Sequence, residues 1–336
     1  MRAAIFQDKG QIIIKDVPNP KVKKDEVLIK VKYCGICGSD IESYESGALI
    51  PTGLIIGHEF SGELVEIGEE IKNWNVGDKI TANPNIPCFK CYWCLKEQEM
   101  MCRKSPHGIG QTVNGALAEY ISVKAERLHE LGDLSLEQGA VVEPFAICLY
   151  AVKESGFKIG ENAVVLGAGS IGLLMIQLLK IAGASEIFVI EPSELQQKKA
   201  LELGASEVLE PNNWIKINKL TNKIGPDHVF DCVGLPSTYI DSLKMIRKGG
   251  HITSIGLHAE PFTMEGMIQL QLKNITIRGV YGYNQQTFRD AITLLKKYHP
   301  PITSIITKKI KLDEVPDAFK LLSQPNKDQI KILVEF

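Results

Sequence analysis

The segment Val164-Val165-Leu166-Gly167-Ala168-Gly169-Ser170-Ile171-Gly172-Leu173 sets the pattern GxGxxG between an apolar run of strand character and an apolar run of helical length. Few folds tolerate that succession, because it needs a very tight turn followed at once by a helix. Read as a nucleotide loop, Gly167 permits the turn, Gly169 lets a pyrophosphate approach the helix N-terminus, and Gly172 permits close helix-to-strand packing. Ser170 and Ile171 complete the candidate cofactor contacts. A purely structural glycine turn leaves the next observation unexplained. The following strand-like run ends at Glu191, nineteen residues after Gly172, where a carboxylate would accept hydrogen bonds from an adenosine ribose. That carboxylate would also repel the 2′-phosphate of NADP, so NAD is the expected cofactor. Lys198 and Lys199, in the next helix, keep a phosphate-tolerant reading open.

The texture around this loop predicts α/β architecture in its half of the chain. Apolar strands alternate with amphipathic helices at 163–166, 171–182, 186–190 and 194–203, with further strands at 228–231 and 251–255. This alternation predicts a doubly wound parallel sheet. Residues 1 to about 140 differ, with short β-like runs at 11–15, 26–33, 62–67 and 78–82 broken by glycine and proline, an all-β, barrel-like pattern. A helix at 287–297 and an apolar strand at 330–334 return to that first domain. The expected domains are therefore 1–145, 146–283 and the returning segment 284–336, consistent with two cores in 336 residues. A net charge of −2 gives no reason to expect nucleic acid or an anionic membrane as partner. The opening residues lack a signal-peptide pattern and no apolar run has membrane-spanning length, so a cytoplasmic protein is expected.

Four of the eight cysteines, Cys88, Cys91, Cys94 and Cys102, fall within a lobe at 86–104. Such spacing in a reducing compartment points to zinc rather than disulfides, and four thiolates close a tetrahedron with no open position, as in a structural site. Cys34 and Cys37 spell CxxC but lack the flanking pattern of a redox dithiol; Cys34 reads as a packed strand end, which leaves Cys37 as the functional one. With zinc expected, Cys37, His58 and Glu143 form a mixed S/N/O set whose fourth position would take water, substrate or Glu59. Residue types alone leave that set open, since a lone histidine or glutamate is as easily a core or surface residue.

Taken in order, CGICGSD at 34–40, GHEFSG at 57–62, the four-cysteine lobe, the Val142-Glu143-Pro144 step and GAGSIG at 167–172 resemble the zinc-dependent medium-chain dehydrogenase/reductase family. Within it the chain is similar to the polyol and vicinal-diol branch of sorbitol, galactitol-phosphate, butanediol and threonine dehydrogenases. The resemblance implies a GroES-like β-barrel catalytic domain interrupted by a Rossmann domain. It implies catalytic zinc on Cys37 and His58, with Glu143 at the third protein-ligand position and Glu59 binding directly or exchanging with water. Ser39 would begin a proton relay, while Asp40 holds the loop. The implied reaction is NAD-dependent oxidation of a secondary alcohol to the ketone, by a homo-oligomer, either dimer or tetramer. Two departures stand out: Glu42 replaces a relay histidine, and Val280-Tyr281-Gly282-Tyr283-Asn284 replaces an Arg-Tyr pair, making Tyr281 and Tyr283 candidate pocket residues. Lys90, Lys96 and Lys104 are either phosphate contacts or solvated charges. The competing readings are a non-catalytic zinc- and nucleotide-binding protein of the same fold and a threonine-type dehydrogenase.

Overall fold

In the computed structural model the chain is described at residues 1–48, 50–103, 108–258, 261–263, 265–324 and 328–336, so Lys104 lies outside the described residues. Strands β1 (Arg2–Asp8), β2 (Gln11–Asp16), β3 (Glu26–Gly35), β4 (Glu59–Ile67), β5 (Lys79–Ala82), β6 (Tyr120–Lys124) and β7 (Leu128–Glu130) come first, with helices α1 (Gly38–Ser46) and α2 (Leu136–Gly139). Helix α3 (Val142–Ser155) leads into β8 (Ala163–Leu166), α4 (Ser170–Ile181), β9 (Ile187–Ile190), α5 (Glu194–Leu203), β10 (Glu207–Leu209) and α6 (Trp214–Leu220). Then follow β11 (His228–Asp231), α7 (Pro236–Met245), β12 (His251–Ser254), α8 (Ile268–Leu272) and β13 (Thr276–Gly279). The returning segment holds α9 (Gln285–Tyr298), β14 (Ile306–Lys311), α10 (Val315–Leu322) and β15 (Lys331–Glu335). Two units result, Met1–Ala146 with Tyr283–Phe336, and Ile147–Gly282; Ala146 and Tyr283, expected with the second, belong to the first.

The first unit is built on a seven-stranded sheet ordered β14-β15-β3-β4-β5-β7, with β6 also paired to β3. Alternation along β3 sends Val27, Ile29 and Val31 into a core shared with Phe60, Leu64, Ile332 and Val334. Register then decides which side chains meet. Gly35 lies opposite Glu59 on β4 and opposite Leu333 on β15, so the end of β3 is flanked by the beginning of β4 and the middle of β15. Helix α9 packs Phe288, Ala291, Ile292 and Leu295 inward at helical spacing and is capped by Asn284, whose Oδ1 accepts the Thr287 N–H at 2.9 Å.

The second unit is a six-stranded, all-parallel sheet ordered β10-β9-β8-β11-β12-β13. This order reverses between β8 and β11, and in open α/β sheets such a switch point opens a crevice at the carboxyl ends of the strands. Strands β8 and β9 are buried along their whole length, which explains their unbroken apolar sequences. Among the described residues no helix is long and apolar enough to cross a membrane.

Candidate active site and metal centres

Cys37 follows β3 by two residues and caps the N-terminus of α1. Its backbone N–H donates to Asp40 Oδ2 at 3.0 Å, which fixes the turn. Gly57 has φ +92°, and a Cβ there would stand 2.7 Å from Leu117 Cγ; a glycine is required for the chain to turn here and deliver His58 to the start of β4. Glu59 sits opposite Gly35, where a Cβ would come within 2.2 Å of Glu59 Oε2, so the missing side chain makes room for the carboxylate.

The result is a group, with His58 and Glu59 buried and Cys37 half-buried, in which donor atoms of Cys37, His58 and Glu59 all lie within 4.8 Å of one another. Thiol, imidazole and carboxylate together suit zinc. His58 is 6% exposed, and its Nδ1 faces Asp40 Oδ1 at 3.5 Å, both atoms otherwise without a hydrogen-bond partner. Burial works against an imidazolium, yet Asp40 and then Cys37 outweigh it and hold the His58 pKa well above its ordinary value. The surroundings thus carry an excess of negative charge that a cation would relieve. Asp40 both holds the loop and faces the histidine, the arrangement by which a carboxylate orients a metal-binding imidazole.

Glu143 differs from expectation. It lies in the first turn of α3, outside the group of three, and its Oε1 accepts a hydrogen bond from Tyr283 Oη at 3.0 Å. Cys37, His58 and Glu59 thus form the group of donor atoms, while the Glu143 carboxyl is engaged by Tyr283, itself 1% exposed. Burial first, with Glu59 adding to it, raises the Glu143 pKa to about 7. Tyr281, by contrast, is half exposed. Ser39 is half-buried on α1, where its carbonyl accepts from Ser43 Oγ at 2.9 Å, and Glu42 is half-buried on the same helix.

One participant was missed from sequence. Lys331 on β15 is 3% exposed, and its Nζ donates to Glu59 Oε2 at 2.7 Å, Glu59 Oε1 at 2.9 Å and the Ile36 carbonyl at 3.1 Å. Burial opposes its charge, but Glu59 foremost keeps its pKa above the usual lysine value. The available signal was a lysine interrupting the apolar run Ile330 to Val334, since a buried lysine requires a partner.

The four lobe cysteines also converge, with Sγ separations of 3.5 Å (Cys91–Cys94), 3.9 Å (Cys88–Cys94) and 4.0 Å (Cys91–Cys102). These are far longer than a disulfide, and they match the edge of roughly 3.8 Å that a tetrahedron with Zn–S of about 2.3 Å requires. Backbone N–H groups, Cys94 first, lower Cys91 to about 6, whereas burial and neighbouring thiols push Cys94 up to about 12. Four thiolates at this spacing need a cation to ionise together, so the donor set fits a structural zinc.

In the second unit, Gly167 follows β8, Gly169 is the N-cap of α4, and Ser170, Ile171 and Gly172 form that helix's first turn. A Cβ on Gly169 would point into open space, room that a pyrophosphate would fill, while one on Gly172 would strike the Gly167 carbonyl at 1.9 Å. Glu191 follows β9 directly; its carboxylate accepts from the Ala168 N–H at 2.6 Å and the Ser193 N–H at 2.9 Å, which ties it to the glycine loop. Lys199 is paired with Glu202 at 2.7 Å and Lys198 is exposed.

Comparison with known proteins gives a consistent picture. Residues 23–133 match the alcohol dehydrogenase GroES-like domain and residues 170–297 the zinc-binding dehydrogenase family. The chain is 35% identical over 350 residues to (R,R)-butanediol dehydrogenase of Bacillus subtilis, covering 99% of each. It is 34% identical over 338 residues to D-arabitol-phosphate dehydrogenase of Enterococcus avium, covering 97% of this chain and 94% of that one. Among solved structures, 2R,3R-butanediol dehydrogenase from Bacillus subtilis superposes with a TM-score of 0.91 at 34% identity, covering 100% of this chain and 99% of the other. A Sinorhizobium meliloti protein described as a zinc-binding dehydrogenase and solved with NADP superposes with a TM-score of 0.93 at 29% identity, with the same coverage.

Proposed function

This chain belongs to the zinc-dependent medium-chain dehydrogenase/reductase family, and we propose that it oxidises a secondary hydroxyl of a small polyol, sugar alcohol or vicinal diol to the ketone, with NAD as hydride acceptor. The observation that carries the reading is the Cys37–His58–Glu59 donor set, with His58 and Glu59 buried, and a Glu143 carboxyl, bonded by Tyr283, on which the charges of both act. When bound, zinc supplies Lewis acidity that lowers the pKa of an alcohol or polarises a ketone, and the nicotinamide supplies the hydride-accepting carbon.

In this reading Cys37, His58 and Glu59 hold the catalytic zinc, and Asp40 orients the His58 ring. Lys331 balances the charge of Glu59, and Tyr283 fixes the Glu143 carboxyl, which stands as the alternative oxygen ligand or as a hydrogen-bond acceptor for the substrate hydroxyl. Ser39 receives the hydroxyl proton and passes it outward. Cys88, Cys91, Cys94 and Cys102 hold the structural zinc. Gly167, Gly169, Ser170, Ile171 and Gly172 receive the pyrophosphate, and Glu191 the ribose hydroxyls, which favours NAD over NADP. The unit containing residues 1–146 and 283–336 is the catalytic one, and that of 147–282 binds the nucleotide. A cytoplasmic homotetramer completes the reading, with the oligomer open to sedimentation analysis.

The relatives named for a diol and for a polyol phosphate bracket the substrate. Lys90 and Lys96 on the lobe are exposed, which supports an unphosphorylated diol or polyol. The test is absorbance at 340 nm with metal-replete protein, NAD or NADP, and a panel of butane-2,3-diol, pentitols, hexitols, their phosphates and threonine. Turnover of an unphosphorylated diol or polyol with NAD is expected. Silence across the panel would favour the non-catalytic alternative, and preference for threonine would redirect the substrate.

A further inference from the structure

We infer that the first unit carries a second ligand site, a cavity of about 530 Å³ that binds a small organic carboxylate with a short apolar tail. None of the residues lining it belongs to either candidate metal centre, and the inference is independent of the proposed reaction.

Arg127 marks the site. It closes the short turn between β6 and β7, lines the cavity and is 3% exposed. Its Nη1 has no hydrogen-bond partner, and among the described residues the one carboxylate paired with it, Glu126, reaches only to 3.8 Å from Nη2. A guanidinium remains charged at any ordinary pH, and buried charges in folded proteins are paired. One matched only by a long ion pair, with a nitrogen left unbonded, therefore has room for an anion from outside the chain.

The other charges around the cavity do not supply it. Lys23 and Glu26, both lining, pair with each other at 2.9 Å, and Lys124 pairs with Asp25 at 3.0 Å. Lys21, exposed at the rim, has no ion pair among the described residues and adds a second positive charge. Apolar walls complete the site: Ile5, Ile55 and Val123 line it and are nearly fully buried. A largely apolar cavity of a few hundred Å³ with a convergent cation is the usual form of a small-molecule site. The planar guanidinium matches a carboxylate by two parallel hydrogen bonds, and one buried positive charge balances one negative charge.

Isothermal titration of the zinc-replete protein with sodium hexanoate tests the site, comparing wild type with Arg127→Met and Lys21→Ala. Any hexanoate bound at a metal centre is common to all three and cancels. Arg127→Met is expected to weaken hexanoate at least about tenfold, the loss typical of a charge-assisted hydrogen bond, and to leave the melting temperature unchanged or raised, because it removes a buried charge whose one ion pair is long. Lys21→Ala, on the surface, is expected to fold normally and weaken binding severalfold. Equal hexanoate affinity in wild type and either variant would overturn the site. So would a melting temperature lowered in Arg127→Met, which would make the residue structural. Loss of the wild-type oligomer in Arg127→Met would overturn it too, by assigning the matching carboxylate to a second copy of the chain.

Discussion

Replacing Lys331 by methionine keeps the apolar stem and removes only the ammonium, which isolates the charge that faces Glu59. All three ammonium donors are engaged, two by Glu59 and one by the Ile36 carbonyl, and both side chains are buried. Removing one partner of such a pair leaves a buried carboxylate without compensation, a loss of about 3–5 kcal/mol. In chelator-treated protein the Lys331→Met variant should show that full loss in urea unfolding followed by fluorescence. With zinc restored, the Glu59 carboxylate has another cation to face, so the loss should fall by roughly half or more. Lys331→Met/Glu59→Gln removes both charges and should be more stable in chelator than Lys331→Met alone, by about 2 kcal/mol, giving a coupling energy in the range of contacting charges. A Lys331→Met loss of under about 1 kcal/mol in chelator, or strict additivity in the double variant, would refute the reasoning.

Cys94→Ser should reduce bound zinc from two ions to one per chain and lower the melting temperature before it affects the hydride-transfer rate; an unchanged melt with lost turnover would contradict the structural role. Glu191→Ala removes the carboxylate tied to the glycine loop and should narrow the NAD preference about tenfold or more, measured as kcat/KM for NAD against NADP. His129 has an unpartnered Nε2, and burial first, then Arg289, lowers its pKa to about 4. The folded state therefore resists a proton that the unfolded chain accepts below about 6.5, so stability should fall as pH drops from 6.5 towards 4, by up to about 3 kcal/mol. His129→Phe should flatten that part of the stability profile, and an unaltered slope would assign it to other groups.

The parallel sheet of the second unit was legible where strands are covered on both faces. Strands β8, β9, β11 and β12 read as apolar runs, whereas the outermost strands β10 and β13, of sequence Glu207-Val208-Leu209 and Thr276-Ile277-Arg278-Gly279, did not. An edge strand buries less of itself, so its sequence carries a weaker signal. In the candidate site, local motifs were enough for Cys37, His58 and Glu59, which the end of β3 and the start of β4 bring together. The partners of Lys331 and Tyr283 were beyond reach because they lie 272 and 140 residues away in sequence. The first meeting depends on the register of β15 against β3, which no local pattern encodes. The Tyr283 hydroxyl engages Glu143, and residue types cannot reveal a hydrogen bond across that separation.

The position of β15 also bears on how the protein is made. It lies inside its sheet, between β14 and β3, yet it is translated after the whole of residues 147–282. A nascent chain that has completed the first seven strands leaves the end of β3, Tyr33 to Gly35, unpaired on the side that β15 will take, and carries Glu59 without its counter-ion. The unit formed by residues 147–282 is contiguous and can fold while this earlier half waits. The early half is therefore the segment for which chaperone binding during synthesis should be strongest, and ribosome profiling of chaperone-bound nascent chains should show occupancy that persists until β15 emerges.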